Sequence, residues 1–450
     1  MGCLFGWPFW AAFYAIGKPY KEKSMSILLK NGQVIDHHQL IAQDILIDNG
    51  VIQDKQGQIE TDADQVIDLH GALITPGLVD MHVHLREPGY TNKETIVTGA
   101  KAAAHGGFTM IGAMANINPT CDTPEKFHAQ EQRNEAGIVK IKQYAPVTQG
   151  RAGHQAIDFA ALHEAGAQVF SDDGSGIQDA AVVFDAMKQL AKLGLPLCDH
   201  AQDEQLSFGG VINCGDVSER LGLPGLPDIS ETAQIARNLI IAQETGVHYH
   251  VCHVSTTESV ELVRQAKRHG VNVTCEVTPH HLLLDEDDIK EDDPQFKMNP
   301  PLREVTDRQA CIAGLMDGTI DIIATDHAPH TDEEKQHGFL NSPNGIVGSE
   351  TAFALLYTKF VKSGIWTLQQ LVDWMSINPI QIFNLDDAGQ LRVGDAADIA
   401  VFDLTTDFVI DEENFFSKGH NSPFVGDHVN GLTVLTMVDG QVVYRRGTNE

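Results

Sequence analysis

Between residues 79 and 86 apolar and polar positions alternate strictly: Val79, Met81, Val83 and Leu85 against Asp80, His82, His84 and Arg86. A period of two predicts a β-strand with all four polar side chains on one face. After Thr75-Pro76-Gly77 the pattern becomes apolar strands separated by longer amphipathic stretches, which predicts βα units and a parallel sheet. The predicted strands are 78–85, 109–116, 139–146, 167–171, 195–200, 248–253, 271–277 and 321–326. Between them, 93–104 reads as a helix ended by Gly106-Gly107. Ser255-Thr-Thr-Glu258 reads as a capping box ahead of Val260, Val263 and Ala266, with Gly270 as the stop. Eight strands with crossovers predict an α/β fold, a closed (β/α)8 TIM-like barrel whose chemistry sits at the carboxyl ends of its strands.

On either side of the barrel the pattern differs. Short strands at 27–29 and 45–47, with turns at Asn31-Gly32 and Asn49-Gly50, predict β-hairpins, and strands return at 399–402 and 435–438. Both termini are therefore expected to build one small discontinuous β-sandwich domain, 25–76 with 386–450, beside a barrel over 77–385. Residues 3–16 are apolar and aromatic but too short to span a bilayer, and Lys18, Lys21 and Lys23 follow rather than precede them. Residues 1–24 are read as an apolar extension left by a start-site artefact, the functional chain beginning near Met25; a membrane-touching anchor is the alternative.

Composition changes this picture little. A chain of 450 residues, 42% hydrophobic and 21% charged, suits a soluble globular enzyme. Asp and Glu outnumber Lys and Arg by 62 to 31, a field that repels nucleic acid and anionic lipid, so neither is expected as a partner. Seven scattered cysteines without close pairs fit a reduced, cytoplasmic setting.

The polar face of the first strand does change it. Unpaired buried polar groups cost several kcal/mol, roughly, so two imidazoles converging from one strand need an interior partner. A divalent metal suits them, with Arg86 further along to meet an anionic substrate. The ends of the other predicted strands supply Asp172 and Asp173, His200, His253 and Asp326. Four imidazoles with two of these carboxylates exceed what one tetrahedral ion uses and fit two divalent ions bridged by a carboxylate and a hydroxide. His248 and His250 have the opposite parity to His253 and are expected to face outward.

These residues resemble the amidohydrolase superfamily and, within it, the bacterial dihydroorotases of the aspartate-bridged, class I type that pairs with aspartate carbamoyltransferase. The resemblance runs from Met25 to the C-terminus. It is carried by Asp80-Met-His-Val-His-Leu-Arg-Glu-Pro-Gly89, Phe170-Ser-Asp-Asp-Gly174, His250-Val-Cys-His-Val-Ser255, Thr278-Pro-His-His281, Lys297-Met-Asn-Pro-Pro-Leu-Arg303 and Ala324-Thr-Asp-His-Ala-Pro-His330. It implies two zinc ions, one held by His82, His84 and Asp326, the other by His200 and His253, with Asp173 as the bridge where many relatives use a carboxylated lysine. It also implies that Arg86, Asn116, Asn299 and His330 hold the substrate carboxylate and ring amides, with backbone groups from Asn344 and Gly345. Ala115 stands where the family usually has proline, and Gln202 where it often has glutamate.

The implied reaction is the reversible closure of N-carbamoyl-L-aspartate to (S)-dihydroorotate in pyrimidine biosynthesis, with Asp326 as proton shuttle. The implied partners are a carbamoyltransferase and further copies of the chain. Segment 328–335 is expected to act as a lid. The competing readings are a hydantoinase, dihydropyrimidinase or allantoinase, which would not need Arg86, and a non-catalytic scaffold for the transcarbamoylase, which would not need to retain all six ligands. A metal-storage role would leave the substrate-holding residues unexplained.

Overall fold

Each predicted barrel strand takes its place in a ring, although not all form regular strands. In the computed structural model, which describes residues 25–36 and 39–447, Leu78–Val83, Phe108–Ala113 and Lys140–Gln143 form one parallel sheet. Pro196–Asp199, His248–Val251, Val273–Val277 and Ile322–Ile323 form a second. Single residues close the gaps. Phe170 bridges in parallel to Ala145 on one side and Leu197 on the other, and His327 bridges to Val83. The predicted strand at 167–171 is thus present in position but reduced to one bridging residue. Phe108–Ala113 is buried throughout, as expected for a strand of a parallel sheet covered on both faces.

The crossover helices carry local signals that refine the sequence reading. Ile96–His105 begins at Thr95, whose side chain exchanges a capping box with Thr98. In Thr257–Arg268 the cap is Thr256, whose hydroxyl accepts from the Ser259 amide, and not Ser255 as the Ser255-to-Glu258 spacing suggested. Ser255 bonds instead to the buried carboxylate of Glu231, which also accepts the Ser255 amide at 3.0 Å. A long-range carboxylate has outcompeted the local motif.

Both termini contribute to one eight-stranded sheet. Leu73–Pro76 pairs antiparallel with Ile399–Asp403, which joins the N-terminal strands to Leu432–Val438 and Gln441–Arg445. Val51 also bridges to Ala396, so the sheet folds back on itself around a second core containing Ile45, Ile47, Ile52, Ile399 and Met437. Each such buried aliphatic side chain stabilises by about 1.5–3 kcal/mol relative to exposure. Asn49 and Gly50, both at positive φ, make the expected tight turn between Gln39–Asp48 and Val51–Gln56. Asn31-Gly32 does not turn the chain. It forms an irregularity inside Ile27–Asp36, where the Asn31 amide donates to Asp44 at 2.9 Å. Residues 1–24, with the extension and anchor readings attached to them, lie outside the described residues.

Candidate metal centre and substrate pocket

The carboxyl ends of the barrel strands bring His82, His84, Asp173, His200, His253 and Asp326 together, all of them buried. Asp173 stands between the two sets of imidazoles. Its Oδ1 lies 3.3 Å from His82 Nε2, 3.5 Å from His253 Nε2 and 3.7 Å from His200 Nδ1, and its Oδ2 lies 3.5 Å from His84 Nε2. Asp326 Oδ1 is 2.9 Å from His84 Nε2 and 3.4 Å from His82 Nε2. His200 Nδ1 and His253 Nε2 are 3.0 Å apart.

Backbone geometry aims these groups. Arg86, His253 and Asp326 are non-glycine residues at positive φ, of 60°, 32° and 49°, a conformation that costs of order 1–3 kcal/mol and recurs at functional sites. The turn at His253 also corrects the parity argument. Tyr249 faces the crossover helix Ile229–Thr245, where its hydroxyl shares Asp199 with Asn238. His250 therefore points into the barrel, fully buried, and His248 shares its bond to Thr274 Oγ1. The expectation that both face outward fails because the left-handed turn at His253 resets the alternation before that residue reaches the cluster.

Residues to which the resemblance gives no ligand role hold the cluster in place. Glu276 bonds His82 Nδ1 at 2.5 Å and His250 Nε2 at 3.1 Å, so His82 presents Nε2 to the hollow. An acceptor on the far nitrogen of a metal-binding imidazole fixes its tautomer and direction. The signal was a lone carboxylate within the apolar run Val273–Val277. Asp80 receives the amides of His82 and Thr325 at 3.1 Å each and also bonds the Thr325 hydroxyl, locking the segment before Asp326 to the first strand. Asp172 is spent on the Val147 and Thr148 amides, at 2.8 and 3.1 Å, which leaves Asp173 as the carboxylate facing the hollow.

The donor set fits divalent cations. His82 Nε2 and Asp173 Oδ1 are buried without a hydrogen-bond partner, an expensive state unless a ligand satisfies them. His82, His84 and Asp173, and Asp173, His200 and His253, each place three ligand atoms within 4.8 Å of one another. The charge points the same way. Burial alone would lower His82, but Asp173, Glu276 and Asp326 raise its pKa well above the usual imidazole value. Burial alone would raise Asp326, yet the charges of His82, His84 and His253 take it far below the carboxylate range. Such a concentration of buried carboxylate calls for a cation.

Beside the cluster opens a hollow of about 180 Å³ lined by His84, Arg86, Asn116, Asp173, Gly174, His200, His253, Asn299, Asp326, Ala328, Asn344 and Gly345. Arg86 donates from Nε to the Pro329 carbonyl at 3.3 Å and lies against His330, 3.4 Å away. Burial, together with the charges of Arg86 and Lys93, takes His330 down to about 2, so it is neutral. Its Nε2 meets the Asn344 carbonyl at 2.7 Å and its Nδ1 meets Lys93 Nζ at 3.2 Å, which assigns the proton to Nε2. Asn116 Oδ1 accepts from His84 Nδ1 at 2.9 Å, and Asn299 donates to Gln202 Oε1 at 2.8 Å. The Gln202 departure thus bears on a substrate-side residue.

The expected backbone contribution of Gly345 takes another form. Its N–H is committed to the Lys297 carbonyl at 3.0 Å, and its carbonyl to Lys335 and Asn421 at 3.0 and 2.9 Å. Gly345 instead provides room: at φ 125°, a Cβ there would stand 2.5 Å from Ala328 Cβ.

A parallel barrel with a cluster of histidines and carboxylates at its carboxyl end, flanked by a β domain from both termini, defines a metal-dependent amidohydrolase. The solved structures agree. L-hydantoinase (dihydropyrimidinase) from Arthrobacter aurescens matches with a TM-score of 0.85 at 27% identity, covering 95% of this chain and 97% of that one. Dihydropyrimidinase from Brevibacillus agri matches in fold, with a TM-score of 0.82 at 23% identity over 94% of this chain and 95% of that one. Residues 71–259 match the dihydro-orotase-like family model, and 362–444 match the amidohydrolase family. Curated dihydroorotases from Ligilactobacillus salivarius and Enterococcus faecalis are each 54% identical, over 94% and 93% of this chain and 99% of each relative. The chain belongs to the dihydroorotase family.

Proposed function

We propose that this enzyme interconverts N-carbamoyl-L-aspartate and (S)-dihydroorotate, the ring-closing step of pyrimidine biosynthesis, on a pair of zinc ions held by His82, His84, Asp173, His200, His253 and Asp326. The observation that carries the reading is Arg86 set beside the cluster, in a hollow sized for one small ring. Metal dependence goes with the family. Two divalent ions held there supply Lewis-acid polarisation of the scissile carbonyl and acidify the attacking water.

The chain's own residues do the rest. In the hydrolytic direction the guanidinium of Arg86 holds the ring carboxylate through its fork of N–H donors. Asn299 and neutral His330 bracket the ring from two further segments, and Asn116 keeps His84 turned toward Asp326. Asp326, ionised at rest, takes a proton from the attacking water as the new C–O bond forms at C4. It returns that proton to the ring nitrogen as the C–N bond breaks. Water is consumed, its second proton is released to solvent, and the product carries the new carboxylate and the freed ureido group. Closure runs the same steps in reverse.

A carbamoyltransferase that releases carbamoyl aspartate is the partner this reading favours, with the chain itself assembling as a homo-oligomer. A reducing, cytoplasmic setting accords with the free cysteines: among the described residues five are buried and Cys214 is exposed. No helix among the described residues is long and apolar enough to cross a membrane.

The test is a substrate comparison with zinc-loaded enzyme. Dihydroorotate and carbamoyl aspartate are expected to interconvert, with hydantoin and allantoin turned over at least about 100-fold less efficiently, because neither ring engages the guanidinium. Robust hydantoin or allantoin hydrolysis without activity on dihydroorotate would assign the enzyme to the competing class.

A further inference from the structure

Two buried lysines lie behind the substrate pocket with no part in the chemistry just described. Lys335 is 3% exposed and Lys297 5%. Burying an ammonium is costly unless its donors are satisfied, and both are satisfied by main-chain oxygens. Lys335 Nζ donates to the carbonyls of Lys297 and Pro343, at 3.2 Å each, and of Gly345 at 3.0 Å. Three N–H groups meet three acceptors. Lys297 Nζ donates to the Ser342 carbonyl at 2.6 Å and to that of Phe339.

The acceptors are placed where substrate contacts are made. The Lys297 carbonyl is two residues before Asn299, and the Pro343 and Gly345 carbonyls flank Asn344, whose own carbonyl receives His330. Lys335 also ends the 328–335 segment that begins beside the cluster. That segment, expected as a lid, is fastened here: the His330 amide donates to Asn421 Oδ1 at 3.0 Å, and Lys335 secures its other end.

We propose that Lys335 is a positioning residue for substrate, its ammonium tying the Lys297-to-Asn299 segment to the Pro343-to-Gly345 turn so that Asn299, His330 and Asn344 face one another across the pocket. The inference rests on the dihydroorotase reading for its substrate, though not for its geometry. Because Lys335 touches no proposed metal ligand, removing it weakens substrate binding and spares the catalytic step.

Its protonation then matters. A neutral amine has two N–H groups and a lone pair, and the lone pair would face a carbonyl oxygen. Burial and the like charge of Lys297 bring Lys335 down to about 7, opposed by Asp293. Of the other groups facing this region, Asp292 acts on Lys297, and His330 is neutral across the range. The tie is complete below neutral pH and loses a bond above it.

The experiment measures kcat and KM for dihydroorotate from roughly pH 6 to pH 9 with unaltered enzyme and Lys335→Met, and follows hydrogen exchange of segment 337–346 in both. The unaltered enzyme is expected to show KM rising above about pH 7 while kcat keeps its own profile. Lys335→Met should raise KM about tenfold at pH 6, leave kcat within about twofold, flatten the KM profile and speed exchange in 337–346. A flat KM profile in the unaltered enzyme, or a variant that lowers kcat at unchanged KM, overturns the proposal. If the variant does not fold, the KM and exchange profiles of the unaltered enzyme decide. If dihydroorotate is not turned over at all, the functional reading fails, and the pH dependence of exchange in 337–346 still decides the role of Lys335.

Discussion

Asp326→Asn is expected to abolish turnover of dihydroorotate, lowering kcat by about three orders of magnitude, while bound metal stays largely in place. The carboxylate sits 2.9 Å from His84 Nε2 and lines the pocket, which in the proposed reaction lets a single group serve both the attacking water and the departing nitrogen. An amide of the same shape keeps an oxygen for coordination but has no basicity with which to accept a proton. The other five side chains of the cluster are untouched. Their mutual contacts are centred on Asp173, not on Asp326. Kinetics and metal content measured on the same preparation separate the two roles. Turnover within tenfold of the unaltered enzyme would remove Asp326 as proton carrier, and loss of metal together with activity would reduce it to a ligand.

Arg86→Met is expected to raise KM for dihydroorotate steeply and to lower kcat/KM by about 100-fold, because a charge-assisted, forked contact to a carboxylate is worth roughly 2–3 kcal/mol. Methionine fills much of the same volume, so the pocket should not collapse. Arg86 is held by the Pro329 carbonyl and by packing on His330, so its removal leaves the metal cluster intact. The informative control is the same ring without its carboxylate. Turnover of dihydrouracil, however slow, should be unaffected by the substitution. An unchanged kinetic profile with dihydroorotate would remove the substrate assignment.

The sequence exposed the ring of strands and the six clustered side chains because each is polar at the end of an apolar run, where a barrel core has no other use for it. Its blind spots were physical. Alternation cannot register a left-handed residue, so His253 made His250 look outward when it faces the barrel interior beside Glu276. Asn31-Gly32 has the composition of a turn, yet pairing with the following strand absorbs it as an irregularity. The Ser255 motif yielded to Glu231, and Glu276 reaches His82 across 194 positions of sequence. Lys335 enters the sequence reading only as the end of a segment expected to act as a lid, since its three acceptors are main-chain oxygens from segments brought together only by the fold. Local pattern revealed which residues interrupt the core; long-range partners determined what they do.

In the proposed site six side chains distant in sequence share a pair of divalent cations, with Asp173 as the bridge. Metal content per chain, measured after zinc loading and dialysis in the unaltered enzyme and in Asp173→Ala, tests it most directly. Two ions per chain are expected in the former and at most one in the latter, with turnover lost. Two ions retained without Asp173, or a fully active enzyme holding only one, would contradict it.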